Sequence, residues 1–169
     1  MTKGLRRKAQ EAFFMIDHLL QSDLPQVASL LRGLNALHVQ RVPERFHAEA
    51  DDAALVGMLA QEIDTGAEAL VYRAEGVARG YLLWRRRKVP RSAVERPRSL
   101  AVLDHIAVAP SWRRRGIARR LVAGFEAEIT ARDCDGWVAH VHSFNGASRR
   151  LMQRAGAVRA VEVYEKRLG

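Results

Sequence analysis

The stretch LDHIAVAPSWRRRGIARRLV, residues 103–122, changes its periodicity half-way along. A strand-like run closes on Val108 and Pro110 ends it. Beyond Gly116 the apolar positions Ile117, Leu121, Val122 and, three residues further, Phe125 recur at helical spacing. Strand, tight turn and helix N-terminus in that order form an anion site, because unpaired helix amides and the helix dipole both point at what lies there. Gly116 lets the backbone approach a ligand with no Cβ in the way, and the small Ala118 serves the same purpose. The side chains of Arg114, Arg119 and Arg120 read as a solvated helix start.

The surrounding chain sets the context. At 169 residues and 48% hydrophobic it suits one domain, and 28 Lys plus Arg against 19 Asp plus Glu give a net charge of +9. Such a surface attracts anions without naming one. Cys134 is the only cysteine, which excludes an intrachain disulfide and a CxxC metal pair, so no metal site is expected and a reducing compartment is. Lys3, Arg6, Arg7 and Lys8 precede an apolar stretch, but Asp17 and His18 interrupt it and no small-residue cleavage site follows. With no run of 18 apolar residues to cross a membrane, the expectation is a soluble cytoplasmic protein with no membrane partner.

Residues 1–12 read as a basic N-terminal extension and 13–169 as the domain. FFMIDHLL, 13–20, reads as a first strand. Asp23 as N-cap and Pro25 just inside start a helix through Leu37 and His38. A second helix covers about 51–63, after the proline-containing joint QRVPERF. Two strand-like runs then flank Glu75-Gly76, a hairpin signal. Residues 85–99 hold Arg85, Arg86, Arg87, Lys88, Arg91, Arg96 and Arg98 against one acid, Glu95. They read as a long exposed loop rather than a nucleic-acid site, since aromatics are missing beyond Trp84. The remainder alternates strand (100–108), helix (115–132), strand (137–142), helix (147–155) and strand (158–167), which argues for a mixed α/β sheet with helices on its faces.

In its 104–156 region the sequence resembles the GNAT-type N-acetyltransferases. Arg113, Gly116 and Ala118 fit that family's cofactor motif, with Val108 and Pro110 upstream and Leu121 downstream; Asn145, Ser148, Leu151 and Gly156 fit its next motif. Gly80 and Tyr81 look like its second hairpin strand, and the order of elements agrees over roughly residues 13–167. The resemblance implies a single-domain, mostly antiparallel sheet with helices on both faces and a splay between the fourth and fifth strands. It implies acetyl-coenzyme A as cofactor, its pyrophosphate held by the amides of Arg113, Arg114, Arg115, Gly116, Ile117 and Ala118. The acetyl group would enter where the strand closes with Ile106, Ala107 and Val108, and Asn145, Ser148 and Leu151 would face the pantetheine arm.

The implied reaction moves an acetyl group to a primary amine of a small molecule or peptide by direct attack in a ternary complex. An alkylamine with a pKa near 10 is mostly protonated at pH 7, so a base or water relay must take its proton. His140 is the first choice, five residues before Asn145 where relatives place a glutamate base; Asp104 is the second, expected by alternation to share a strand face with Ile106 and Val108. His105 then points to the opposite face and reads as structural, and His142 shares the face of His140. Met152 departs from the family's tyrosine, the proton donor to the coenzyme thiolate, and Ala157 from a common aromatic. Tyr164, Ser143 or water could supply the proton, or catalysis could be lost. The alternative function is therefore a non-catalytic basic module contacting RNA, the ribosome or an acidic protein. The acceptor would be selected by NALHVQRVPERF (35–46, with His38, Arg41 and Phe46) and by the basic 85–98 segment, whose arginines suit a carboxylate-bearing amine. A homodimer is left open.

Overall fold

The computed structural model describes residues 16–168; the basic 1–12 extension and the opening residues of FFMIDHLL lie outside the described residues. The described chain runs β1 (Ile16–His18), α1 (Leu24–Arg41), α2 (Asp52–Asp64), β2 (Ala67–Ala74), β3 (Val77–Val89), β4 (Arg98–Val108), α3 (Ile117–Thr130), β5 (Gly136–Ala139) and α4 (Gly146–Arg154). The strands lie in sequence order in one sheet, antiparallel except for β4 against β5. This is the mixed, mostly antiparallel sheet expected.

Both faces of the sheet are covered, which is why its central strands are apolar almost throughout. On one face Ile117, Leu121, Val122, Phe125 and Ile129 of α3 pack with Leu70, Tyr72, Leu82, Trp84, Ala101 and Leu103. On the other, Leu24, Val27 and Leu31 of α1 and Leu55 and Leu59 of α2 pack with Val71, Tyr81 and Leu83. Glu75 (φ 54°) and Gly76 (φ 73°) are both left-handed and close the β2–β3 hairpin as a two-residue turn.

The β4–β5 ladder is short. It pairs Leu100 with Gly136 through Leu103 with Ala139, while β4 stays paired with β3 as far as Val108 opposite Gly80. Beyond Leu103 the fourth and fifth strands therefore part, and the splay is present.

Two expectations are corrected. Residues 85–99 are not one loop: β3 runs on to Val89 and pairs with Arg98–Val102, Leu100–Val102 lying within the sheet beside β5 and Lys88–Val89 with Arg98–Ser99 forming a two-stranded ribbon at the tip, and 90–97 is the connection. Backbone pairing needs no apolar side chains, so the arginine run concealed it. The ribbon's tip at Val89 and Arg98 lies about 30 Å along β4 from Val108, whereas Arg85 stands opposite Val102, next to where β4 and β5 part. Finally, 157–168 forms no strand, because its strand-like composition finds no neighbour's ladder within this chain.

Asp23 also departs from its expected role. It stands before α1, but its side chain makes no cap hydrogen bond. Instead Leu20 N–H donates to Oδ2 at 2.7 Å and Arg73 Nε to Oδ1 at 3.1 Å, and Arg73 Nη2 reaches Oδ2 and the His18 carbonyl. This nearly buried carboxylate ties the α1 entrance to β2. Burial pushes its pKa up, but the Arg73 hydrogen bonds and charge, with the Leu20 amide, hold it below the ordinary value. A depressed carboxylate stabilises the fold above its unfolded pKa and loses that contribution as pH falls through its folded pKa. Asp23→Asn should therefore cost about 2–3 kcal/mol at pH 7 in urea unfolding, with the gap to the parent narrowing below roughly pH 4.

Candidate functional site

Where β4 ends, the chain makes a 3-10 turn over Pro110–Trp112 and then reverses through Arg114 (φ 62°) and Gly116 (φ 76°) into α3. Gly116 is the N-cap, and a Cβ built on it would have no atom within 4 Å, so the backbone here faces open space. The first helical hydrogen bond runs from Arg120 N–H to Gly116 C=O at 3.1 Å. The amides of Ile117, Ala118 and Arg119 precede it and have no acceptor within the helix. Arg113 Nε donates to Val108 C=O at 3.1 Å and Arg115 Nη2 to Ser111 C=O at 3.2 Å. The Arg115 and Arg79 guanidinium groups also lie 4.5 Å and 5.1 Å from the Trp112 ring centroid. These arginines are thus tied to the loop itself, and what the loop offers a ligand is chiefly backbone N–H within a positive field. The residues present fit a pyrophosphate: donors, positive charge and room for close approach coincide.

This helix start lies next to the splay. Ile106 and Val108 pack toward α3, whereas Ala107 packs toward α1 and α2. The expected alternation fails one step earlier. Leu83 pairs with His105 but Trp84 with Leu103, so Asp104 is the extra residue of a β-bulge. Asp104 accordingly does not share the face of Ile106 and Val108. Its Oδ2 accepts from Arg85 Nε at 2.8 Å, and Arg85 also bonds Glu62 of α2. His105 turns to the same side, with Nδ1 3.4 Å from Tyr81 Oη.

His105 is half-buried, and burial pushes its imidazole below the ordinary value; the Asp104 and Glu62 charges oppose this, while Arg85 and His38 assist it. It is therefore neutral at pH 7. Tyr81 is fully buried and burial pushes its phenol up, so it keeps its proton. His140, by contrast, stands exposed just past the end of β5.

A further group sits beside these residues. His38 at the end of α1, Phe46 in the α1–α2 connection, and His142 and Phe144 after β5 form a ring cluster with centroids 4.9–5.7 Å apart, His142 stacked on Phe144 and the other pairs edge-on or tilted. His38 Nδ1 lies 3.0 Å from Leu34 C=O and donates to it, which leaves Nε2 unprotonated in the neutral ring. Burial, with His38 and Arg45, pushes His142 below its ordinary pKa. Only His38 and Phe46 were legible as acceptor-side residues. The cluster joins three segments far apart in sequence, and no local pattern announces it.

Asn145 caps α4, its side-chain oxygen accepting from Ser148 N–H at 3.0 Å, so the side-chain NH2 is not used by the cap. Leu151 is half-buried, and Met152 is buried in the α3-side core, so the residue at the tyrosine position is a packing residue. Tyr164 is 88% exposed and its hydroxyl donates to Glu162 at 3.0 Å, away from any buried thiolate site. Ser143 is exposed.

Residues 26–157 match the model of the acetyltransferase (GNAT) family. Among solved structures, a mutant of the BH1408 protein from Bacillus halodurans is similar at 18% identity and a TM-score of 0.81, covering 90% of this chain and 98% of that one. A ribosomal-protein-alanine N-acetyltransferase from Brucella melitensis biovar Abortus 2308 is similar at 24% identity and 0.67, covering 91% and 98%. The aminoglycoside N-acetyltransferase AAC(6')-Iy, in complex with CoA, is similar at 22% and 0.65, covering 90% and 94%. At these identities the likeness is one of fold. No curated protein matches the chain in sequence. No helix among the described residues is long and apolar enough to cross a membrane.

The cap separates two roles of Asn145. Asn145→Ala should cost about 1 kcal/mol in thermal or urea unfolding, while Asn145→Asp, which keeps the acceptor, should stay within about 0.5 kcal/mol of the parent. Equal losses in both variants would show that the side-chain NH2, not the cap, carries the stability.

Proposed function

The chain belongs to the acetyltransferase (GNAT) family, and we propose that it transfers the acetyl group of acetyl-coenzyme A to a primary amine of a small molecule or peptide, with both bound at once. The observation that carries this reading is the juxtaposition of unpaired helix amides at Ile117–Arg119 with the mouth of the β4–β5 splay. When bound, acetyl-coenzyme A supplies an activated thioester carbonyl. The amides and positive field of Arg113–Ala118 hold the pyrophosphate. Asn145, Ser148 and Leu151 line the path of the pantetheine arm. Past Leu103, β4 has no β5 partner, and the N–H groups of Ile106 and Val108, which point away from β3, would stabilise negative charge on the carbonyl oxygen.

The acceptor approaches from the α1–α2 side, where His105, His38 and His142 gather. His105 takes the proton of the attacking amine. Burial favours its neutral form, it lies on the parting strand, and its Nδ1 is 3.4 Å from Tyr81 Oη; in the tautomer that carries the proton on Nδ1, Nε2 is the free base. Asp104 is held by Arg85 and supports the bulge rather than receiving the proton. His140, at the outer rim, is the alternative base. With Met152 in the core and Tyr164 engaged elsewhere, the departing thiolate takes its proton from water.

The test is the pH dependence of turnover at saturating acetyl-coenzyme A, with amine acceptors found by thiol release. Turnover should rise through an apparent pKa below about 6.5 and level off by neutrality, since burial lowers the base. His105→Gln should abolish this limb and lower turnover about 100-fold, leaving acetyl-coenzyme A affinity unchanged. Loss of the limb in His140→Gln, with His105→Gln unaffected, would move the role to His140. Binding of acetyl-coenzyme A with no acetylation of any amine would favour the binding-module reading, to which the buried Met152 lends weight.

A further inference from the structure

Past the pairing of Leu100 with Gly136 the sheet narrows to two strands, and Lys88–Val89 with Arg98–Ser99 carry the connection 90–97 out of it. The base of this projection is fixed. Asp135 N–H donates to Ser99 C=O at 2.7 Å, and Ser99 N–H donates to Asp135 Oδ2 at 2.6 Å. From Arg86 to Arg98 the chain holds six basic side chains, all exposed, against one acid, Glu95. Glu95 lies 3.7 Å from Arg98, and Arg86 turns back to Glu68 at the same distance. Arg87, Lys88, Arg91 and Arg96 make no ion pair among the described residues. Unlike Arg73, Arg85 and Arg132, each closed on a carboxylate, they are left for an anion outside the chain.

We propose that this projection enters the major groove of double-stranded DNA and holds the phosphate rows on both sides of it. Alternation puts its cations on two faces. Arg85 meets Glu62 of α2, and Arg86 meets Glu68, which Arg132 just past α3 also meets. Arg87 therefore follows Arg85 on the α2 side, and Lys88 follows Arg86 on the α3 side. A partner with one charged face, such as an acidic helix or an anionic bilayer, would meet only one of these sets. A groove has phosphates along both walls. Size agrees as well: the major groove of B-form DNA is about 12 Å wide and admits a two-stranded ribbon, whose strands lie about 4.8 Å apart.

Composition narrows the partner further. The missing aromatics in 85–99 leave nothing on which unpaired bases could stack, so they speak against single strands and not against a duplex. Val94 is the one large hydrophobic exposed there, too little to anchor in a bilayer. Arginine outnumbers lysine five to one between Arg86 and Arg98, and a guanidinium can hold two phosphate oxygens at once. The tip lies about 30 Å along β4 from Val108, so DNA held there leaves the splay open. The proposal does not depend on the acetyl-transfer reading.

Fluorescence anisotropy of a labelled DNA duplex of about 20 base pairs, titrated with the full chain, tests it. With four phosphates neutralised, log K should fall against log salt with a slope of about −3.6, a loss of about 150-fold between roughly 50 and 200 mM. Changing Arg87, Lys88, Arg91 and Arg96 together to Ser should flatten that slope and weaken binding at least about 50-fold at the lower salt, with the unfolding midpoint of the parent. Arg149→Ser, Arg150→Ser, Arg154→Ser and Lys166→Ser together remove as much exposed charge elsewhere and should change affinity less than about threefold. Equal losses in the two variants, or binding that survives the ribbon substitutions, would overturn the proposal. So would tighter binding of the matching single strand, of an RNA duplex, of polyglutamate or of phosphatidylserine-containing vesicles.

Discussion

Beyond Leu103, strand β4 keeps β3 as a neighbour and loses β5, and the site depends on that parting. A strand in mid-sheet with one free side is costly, because buried N–H and C=O groups demand partners. The parting leaves the N–H groups of Ile106 and Val108 without a strand partner. It also fixes what stands around them: the N-cap of α3, Gly116, follows eight residues after Val108, and the free amides of the helix sit at the same end of the sheet. The β-bulge at Asp104 adds the other half of the site. By inserting one residue opposite Leu83 and Trp84 it turns both Asp104 and His105 toward α1 and α2. The imidazole thereby reaches Tyr81 and the carboxylate reaches Arg85. The proposed anion seat and the proposed base thus lie on opposite faces of the sheet, joined through the gap.

Much of the positive charge does structural work. Arg73 closes on Asp23, Arg85 bridges Asp104 and Glu62, and Arg132 joins Glu68 and Glu128. Arg113 and Arg115 brace the turn before α3 by bonding its carbonyls. The net charge of +9 is consequently a poor guide to partners: several guanidinium groups are already engaged, and the densest basic run lies along β3, from Arg85 beside Asp104 to the ribbon at its end.

The stretch 103–122 was legible because each of its signals is local. Periodicity changes at Val108, Pro110 breaks the strand, Gly116 is left-handed, and the helix shows its apolar stripe at once. The cap at Asn145 was legible for the same reason. The bulge was not. Period-two alternation assumes no inserted residue, and one insertion moved Asp104 off the expected face of Ile106 while His105 kept its expected side. The ring cluster of His38, Phe46, His142 and Phe144 needs the tertiary fold to exist. At the C-terminus the composition of 158–168 is that of a strand, but composition cannot supply the neighbour on which a strand depends.

The central claim is that the α3 start and the open side of β4 form one continuous seat for acetyl-coenzyme A. Amide hydrogen exchange with and without acetyl-coenzyme A measures it most directly. The account predicts slowed exchange at Ile117–Arg119 and at Ile106 and Val108 together, with the 90–97 connection unchanged. Protection confined to the basic ribbon, or to the helix start with β4 unaffected, would contradict it.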